Sequence, residues 1–185
     1  MLKDILKTAE ERMHGVVEAT KRQFMAVRTS RANPAILDRV QVEYYGTPTP
    51  LKQVANILAP EPRLLVVQPW EGNMLGPIEK AILRSDLGLN PANDGHAIRI
   101  AIPPLTEERR HELVKIVRKE AEDQRIAIRN IRREINEKIK STRKDAEITE
   151  DQEKRSLEEV QKLTDKNIGE IDKLLETKEH EIMEV

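Results

Sequence analysis

The chain has no cysteine, one tryptophan, one phenylalanine and two tyrosines among its 185 residues. Without cysteine there is no disulfide framework, no thiolate metal site and no cysteine nucleophile. So few aromatic rings argue against a compact aromatic core and suit long helices with aliphatic seams and solvated flanks. No apolar run reaches transmembrane length, and the N-terminal Met1-Leu2-Lys3-Asp4-Ile5 does not read as a signal peptide, so a cytoplasmic location is expected. Neither G-x-x-x-x-G-K-[ST] nor G-x-G-x-x-G occurs. The four histidines, His14, His96, His111 and His180, show no paired ligand spacing. These absences leave no footing for enzymatic chemistry, a resident metal or a cofactor.

Proline and glycine are nearly missing from most of the chain and crowd one part of it. All ten prolines and five of the seven glycines fall between residues 31 and 104. Before that segment, Leu2, Ile5, Leu6, Ala9, Met13, Val16, Val17, Phe24 and Val27 recur at three- and four-residue steps, which predicts a helix over 2–29. After it, Thr106 is the expected N-cap of a second helix, with Glu107 and Glu108 at the positive end of its dipole. The apolar seam of that helix runs Leu113, Val117, Ala121, Ile128, Ile131, Ile135, Ile139. A third helix is expected from Thr149, where Gln152 completes a capping box, with a stripe through Leu157, Val160, Thr164, Ile168, Ile171, Leu174 and Ile182. Three long helices with one stripe each predict an antiparallel three-helix bundle formed by residues 1–30 and 105–185.

The segment between reads as a small inserted α/β domain, residues 31–104, which makes the fold class α+β. Strands are expected over Val40–Tyr45, Val54–Leu58, Leu64–Gln68 and Ala97–Ile102, with a turn at Gly46–Pro50, a break at Pro60-Glu61-Pro62 and a helix over Leu75–Leu87. The lone Trp70 is expected to pack at a strand end. Two stretches of chain join the domains, and both carry proline. Ser30, Ala32, Asn33, Pro34 on one side and Pro103, Pro104, Leu105 on the other are the candidate hinge.

A formal net charge of −1 conceals an asymmetry. Residues 105–144 hold thirteen basic and eight acidic side chains, whereas residues 145–185 hold six and fourteen. Residues 124–133, Gln-Arg-Ile-Ala-Ile-Arg-Asn-Ile-Arg-Arg, contain four arginines and no acid. Arg118, Arg125, Arg129 and Arg132 follow at steps of seven, four and three, so they share a helix face beside the apolar seam. A solvated helix flank ordinarily mixes in glutamate for i,i+4 pairing. Two readings are open: acids of the third helix neutralise this face, or a polyanion does. The missing local acids and the planar fork of guanidinium favour RNA as the partner. Arg28 and Arg31 would extend the same patch. A helical adaptor and a general RNA-binding protein are the alternative readings.

Several longer motifs carry a resemblance. Arg28-Thr29-Ser30-Arg31-Ala32-Asn33-Pro34, Val42-Glu43-Tyr44-Tyr45-Gly46-Thr47-Pro48-Thr49-Pro50-Leu51, Asp86-Leu87-Gly88-Leu89-Asn90-Pro91, Pro103-Pro104-Leu105-Thr106-Glu107-Glu108-Arg109-Arg110 and Ile128-Arg129-Asn130-Ile131-Arg132-Arg133 resemble, in order and register, the bacterial ribosome recycling factor family. Ser30 departs from it, standing where the family's run has glycine. The resemblance implies an L-shaped molecule, a bundle carrying the small domain on a two-stranded hinge. It also implies a monomer that binds the post-termination ribosome and, with elongation factor G and GTP, promotes its dissociation into subunits. The elongation factor hydrolyses the GTP. Carried onto matching positions, Arg28, Arg31, Arg110, Arg129, Arg132 and Arg133 are the expected contacts to large-subunit ribosomal RNA.

Overall fold

A computed structural model of the protein describes residues 1–184. The chain divides into two compact units. One comprises Met1–Arg28 and Glu107–Met183, the other Thr29–Thr106 with Glu184.

The first unit is a bundle of α1 (Leu2–Ala26), α3 (Glu107–Lys144) and α4 (Glu150–Met183), each packed on the other two. At about 1.5 Å per residue the two longer helices run roughly 50–57 Å. The core side chains of α1 are Ile5, Ala9, Met13, Val17, Thr20 and Phe24, one per turn. Those of α3 include Val117, Ala121, Ile128, Ile135 and Ile139. Arg12 pairs with Glu134 and Gln124 donates to Gln23, so α1 runs antiparallel to α3.

On α4 the buried line is more polar than the apolar stripe suggests: Ser156, Val160, Thr164, Asn167, Ile171 and Ile182. This helix faces two neighbours, so its leucines flank the centre line half-buried and small or hydrogen-bonded residues occupy the closest approach. Thr164 Oγ1 donates to Val160 O at 2.8 Å and Asn167 Nδ2 to Leu163 O at 2.7 Å, which satisfies both side chains within the helix.

The turn from α3 to α4 is a Schellman motif: Ala146 N donates to Arg143 O and Glu147 N to Thr142 O. Ala146 has φ 58°, in the left-handed region glycine favours. The next helix opens with the expected capping box, in which Gln152 N donates to Thr149 Oγ1 and Thr149 N to Gln152 Oε1.

The second unit contains β1 (Gln41–Tyr44), β2 (Thr47–Pro50), β3 (Ala55–Glu61), β4 (Leu64–Pro69), α2 (Leu75–Arg84), β5 (Pro91–Asn93) and β6 (Ile98–Ala101). β1 and β2 form a hairpin, and the other strands form an antiparallel sheet in the order β3-β4-β6-β5. Leu37, Val42, Leu51, Leu65, Val67, Ile78, Ile82, Ile98 and Ile100 are among the buried side chains of one core.

Proline accounts for most departures from the sequence reading. Thr47–Pro50 is a strand, and only Tyr45 and Gly46, with φ 47° and 81°, make the turn. Both central residues in the left-handed region match the hairpin's twist. β3 continues through Pro60 to Glu61 because it is an edge strand, where a missing N–H costs the ladder nothing, and its register shifts there. β5, on the opposite edge, begins at Pro91. α2 ends at Arg84, three residues before the expected end, with Ser85 extended and its hydroxyl donating to Ile82 O. Trp70 does not pack: it lies just past β4 with 67% of its surface exposed, its backbone N–H donating to Val54 O.

Candidate nucleic-acid interface

The arginines of α3 lie along its boundary with α4, where the antiparallel register decides what each meets. Arg118 Nε donates to Glu179 Oε1, and that carboxylate raises the Arg118 pKa. One heptad on, Arg125 Nη2 lies 2.7 Å from Asp172 Oδ1 and its Nη1 3.0 Å from Glu122 Oε2. Burial works against the Arg125 charge, but the hydrogen bonds to Asp172 and Glu122 outweigh it and the pKa rises. Glu122 also accepts from Arg129 Nη1 at 3.1 Å, and the bonds from Arg125 and Arg129 hold its pKa below the ordinary value.

These pairs divide the face between the two readings left open by the sequence. Acids of the third bundle helix neutralise Arg118 and Arg125, and Arg129 shares a carboxylate on its own helix. Sequence reading passed over Glu122, although its place three residues before Arg125 and seven before Arg129 was a usable signal.

The pattern breaks at the next heptad. Arg132 Nη1 donates to the neutral Gln161 Oε1 at 3.4 Å, and Gln161 Nε2 donates onward to Asp165 at 2.9 Å. Arg133 Nη1 reaches only Asn130 Oδ1, at 3.5 Å. The adjacent Glu134 is held by Arg12 at 2.8 Å. Among the described residues neither Arg132 nor Arg133 forms an ion pair, and Arg133 is exposed.

The remaining expected contacts are dispersed. Arg110 lies in the first turn of α3, half-buried, with its Nε buried and unbonded. It is about 29 Å along the axis from Arg129. Arg28 lies just beyond α1, in the bundle unit. Arg31 belongs to the other unit, where its Nη2 donates to Glu184 Oε2 at 2.7 Å. The structure therefore brings together Arg129, Arg132 and Arg133.

The candidate hinge residues at the first crossing are fixed within their own unit. Ala32 N donates to Pro62 O at 2.6 Å, Ser30 Oγ to Glu184 O at 3.2 Å, and Asn33 Oδ1 accepts from Ala35 N at 3.0 Å. Pro34 is the first residue of the 3-10 turn that Asn33 caps. On the other side Ile102 N donates to Arg63 O at 2.9 Å, after which Pro103 and Pro104 are exposed and Leu105 half-buried.

The protein is thus a three-helix bundle interrupted by an inserted α+β unit, with cations gathered on one flank of its second bundle helix. The sequence model described as "Ribosome recycling factor" matches residues 20–183. The ribosome-recycling factors of Carboxydothermus hydrogenoformans and Halalkalibacterium halodurans are 58% and 56% identical over 185 residues, covering all of both chains. A solution structure of a ribosome recycling factor, 49% identical, superposes with a TM-score of 0.78 over 100% of this chain and 98% of that one. The T. thermophilus ribosome recycling factor, described with E. coli elongation factor G bound to the E. coli post-termination complex, is 50% identical with a TM-score of 0.68 over 100% of both chains. The chain belongs to the ribosome recycling factor family. Among the described residues no helix is long and apolar enough to cross a membrane.

Proposed function

We propose that this protein recycles ribosomes: it binds the post-termination ribosome and, with elongation factor G and GTP, promotes its dissociation into subunits. The observation that carries the reading is the end-to-end likeness to ribosome-recycling factors, at 58% identity over 185 residues. The step assigned to this chain is mechanical. Arg132 and Arg133, which no carboxylate among the described residues neutralises, dock the bundle on phosphates of large-subunit ribosomal RNA, with Arg129 beside them. Arg28, Arg31 and Arg110 are secondary contacts, and Arg31 must first release Glu184.

Packed along their length, the helices form a stiff strut that carries load without bending. The elongation factor supplies the energy from GTP, and the chain crossings, Pro103–Leu105 among them, let the smaller unit move as a body. The protein acts as a monomer in the cytoplasm. Sedimentation of post-termination ribosomes tests the proposal: free subunits should appear with this protein, elongation factor G and GTP together, and with no two of the three. Intact ribosomes under all conditions would sink it.

A further inference from the structure

The β1–β2 hairpin has two outer edges, and they are unlike. Leu51 N donates to Val40 O, which makes Val40 and Leu51 a hydrogen-bonded pair. Pairs alternate along an antiparallel ladder, so Val42 with Thr49 and Tyr44 with Thr47 are bonded, while Gln41 with Pro50 and Glu43 with Pro48 are not. Residues in the non-bonded pairs turn their main-chain groups away from the partner strand. On β2 these are Pro48 and Pro50, which have no N–H to offer, so that edge is closed to another strand. On β1 they are Gln41 and Glu43, whose main-chain N–H and C=O groups point outward together. No hydrogen bond within the protein, among the described residues, engages either residue outside the β1–β2 pairing.

The open edge borders a groove. Successive residues of β1, of both side-chain parities, line one wall, with Gly46 and Pro48 at its turn end, and α2 lines the other. Three cations, Arg39, Lys80 and Arg84, rim this groove against one acid, Glu43. All three are exposed, and among the described residues none forms an ion pair.

We propose that the groove between β1 and α2 accepts an extended acidic polypeptide segment, which adds to the free edge of β1 as a third strand. Main-chain bonds to Gln41 and Glu43 hold the segment's backbone, and Arg39, Lys80 and Arg84 select carboxylates on its side chains. One open and one proline-blocked edge allow one strand, in one place. An RNA strand could satisfy the cations but not the alternating donors and acceptors of a β edge. This partner site is separate from the arginines of α3 and does not depend on the recycling role.

The test uses the full-length protein without ribosomes. The probes are a synthetic peptide of alternating glutamate and valine, the same peptide N-methylated at alternate amides, and an oligouridylate of equal charge. Titration is followed by backbone amide NMR and hydrogen exchange. The alternating peptide should protect the Gln41 and Glu43 amides from exchange, and the N-methylated peptide should not. Replacing Arg39, Lys80 and Arg84 together by alanine should weaken peptide binding about tenfold, three rim charges each contributing a fraction of a kcal/mol. Gln41→Pro, which copies on β1 the block already present on β2, should abolish protection of the Glu43 amide while leaving the melting temperature near the parent's. If Gln41→Pro does not fold, the N-methylated peptide still decides. Equal binding of both peptides, no binding at millimolar peptide, or preference for the oligouridylate would each overturn the proposal.

Discussion

Arg132 meets Gln161, a neutral side chain, on the α3–α4 boundary along which Arg118 and Arg125, two heptads and one heptad earlier, meet Glu179 and Asp172. One amide thus separates a neutralised part of the boundary from a cationic one. Gln161 Nε2 in turn donates to Asp165 Oδ1 at 2.9 Å. The outward charge of Arg132 is therefore a property of position 161 as much as of Arg132.

Gln161→Glu should convert the contact into a further ion pair across the boundary, beside those of Arg118, Arg125 and Arg143. An exposed pair of this kind contributes roughly 0–1 kcal/mol, and the lost Gln161–Asp165 bond with the new i,i+4 repulsion offsets it, so thermal unfolding should move little. Affinity for the large ribosomal subunit should fall, because Arg132 then has an internal partner. Equilibrium binding to purified subunits checks this; unchanged affinity would show that the Arg132 charge is not used there.

Ala146 occupies the left-handed position of the turn between α3 and α4 with φ 58°. Glycine has no Cβ to strain there, so Ala146→Gly should stabilise the bundle by about 0.5–1 kcal/mol, less whatever the freer unfolded chain takes back. Urea unfolding gives the sign directly. A loss of stability would mean that unfolded-state entropy dominates.

Asp94 accepts main-chain hydrogen bonds from Ala97 and His96 and a side-chain bond from Arg99, which together hold its carboxyl at a pKa of about 2. A depressed folded-state pKa means the charged form is favoured by folding. Its contribution is complete above the ordinary carboxylate value and is lost as pH falls toward about 2. Asp94→Asn should accordingly lower the melting temperature at neutral pH and converge with the parent in strong acid. Carboxyl NMR of the parent should place the Asp94 midpoint below those of its exposed neighbours; a midpoint near the ordinary value would remove the effect.

What the sequence made legible follows from how local the cause is. The Thr149–Gln152 capping box lies within four residues, and the α1 core from Ile5 to Phe24 repeats every turn, so both can be read off directly. β2 was hidden because two prolines in four residues read as a turn. Their alternation becomes meaningful only when Gln41 and Glu43 are known to lie opposite. Trp70 was misplaced because a large ring adjoining a strand ordinarily packs, and nothing local marks it as exposed.

The candidate site divides in the same way. The cluster Arg129, Arg132 and Arg133 was visible in ten residues of sequence. The neutralisation of Arg118 by Glu179 and of Arg125 by Asp172 was not, since those partners are 61 and 47 residues away and depend on the register of two helices.

The most direct measurement compares two double variants, Arg132→Ala with Arg133→Ala and Arg118→Ala with Arg125→Ala, by the salt dependence of binding to the large ribosomal subunit. Removing one arginine–phosphate interaction should lower the slope of log K against log salt by roughly 0.7–0.9. The first pair should weaken binding and reduce the slope by about 1.5, with helicity and unfolding near the parent's. The second should destabilise the bundle while leaving the slope unchanged. Equal slopes for the first pair and the parent, or a reduced slope confined to the second, would contradict the assignment of Arg132 and Arg133 as the anchor.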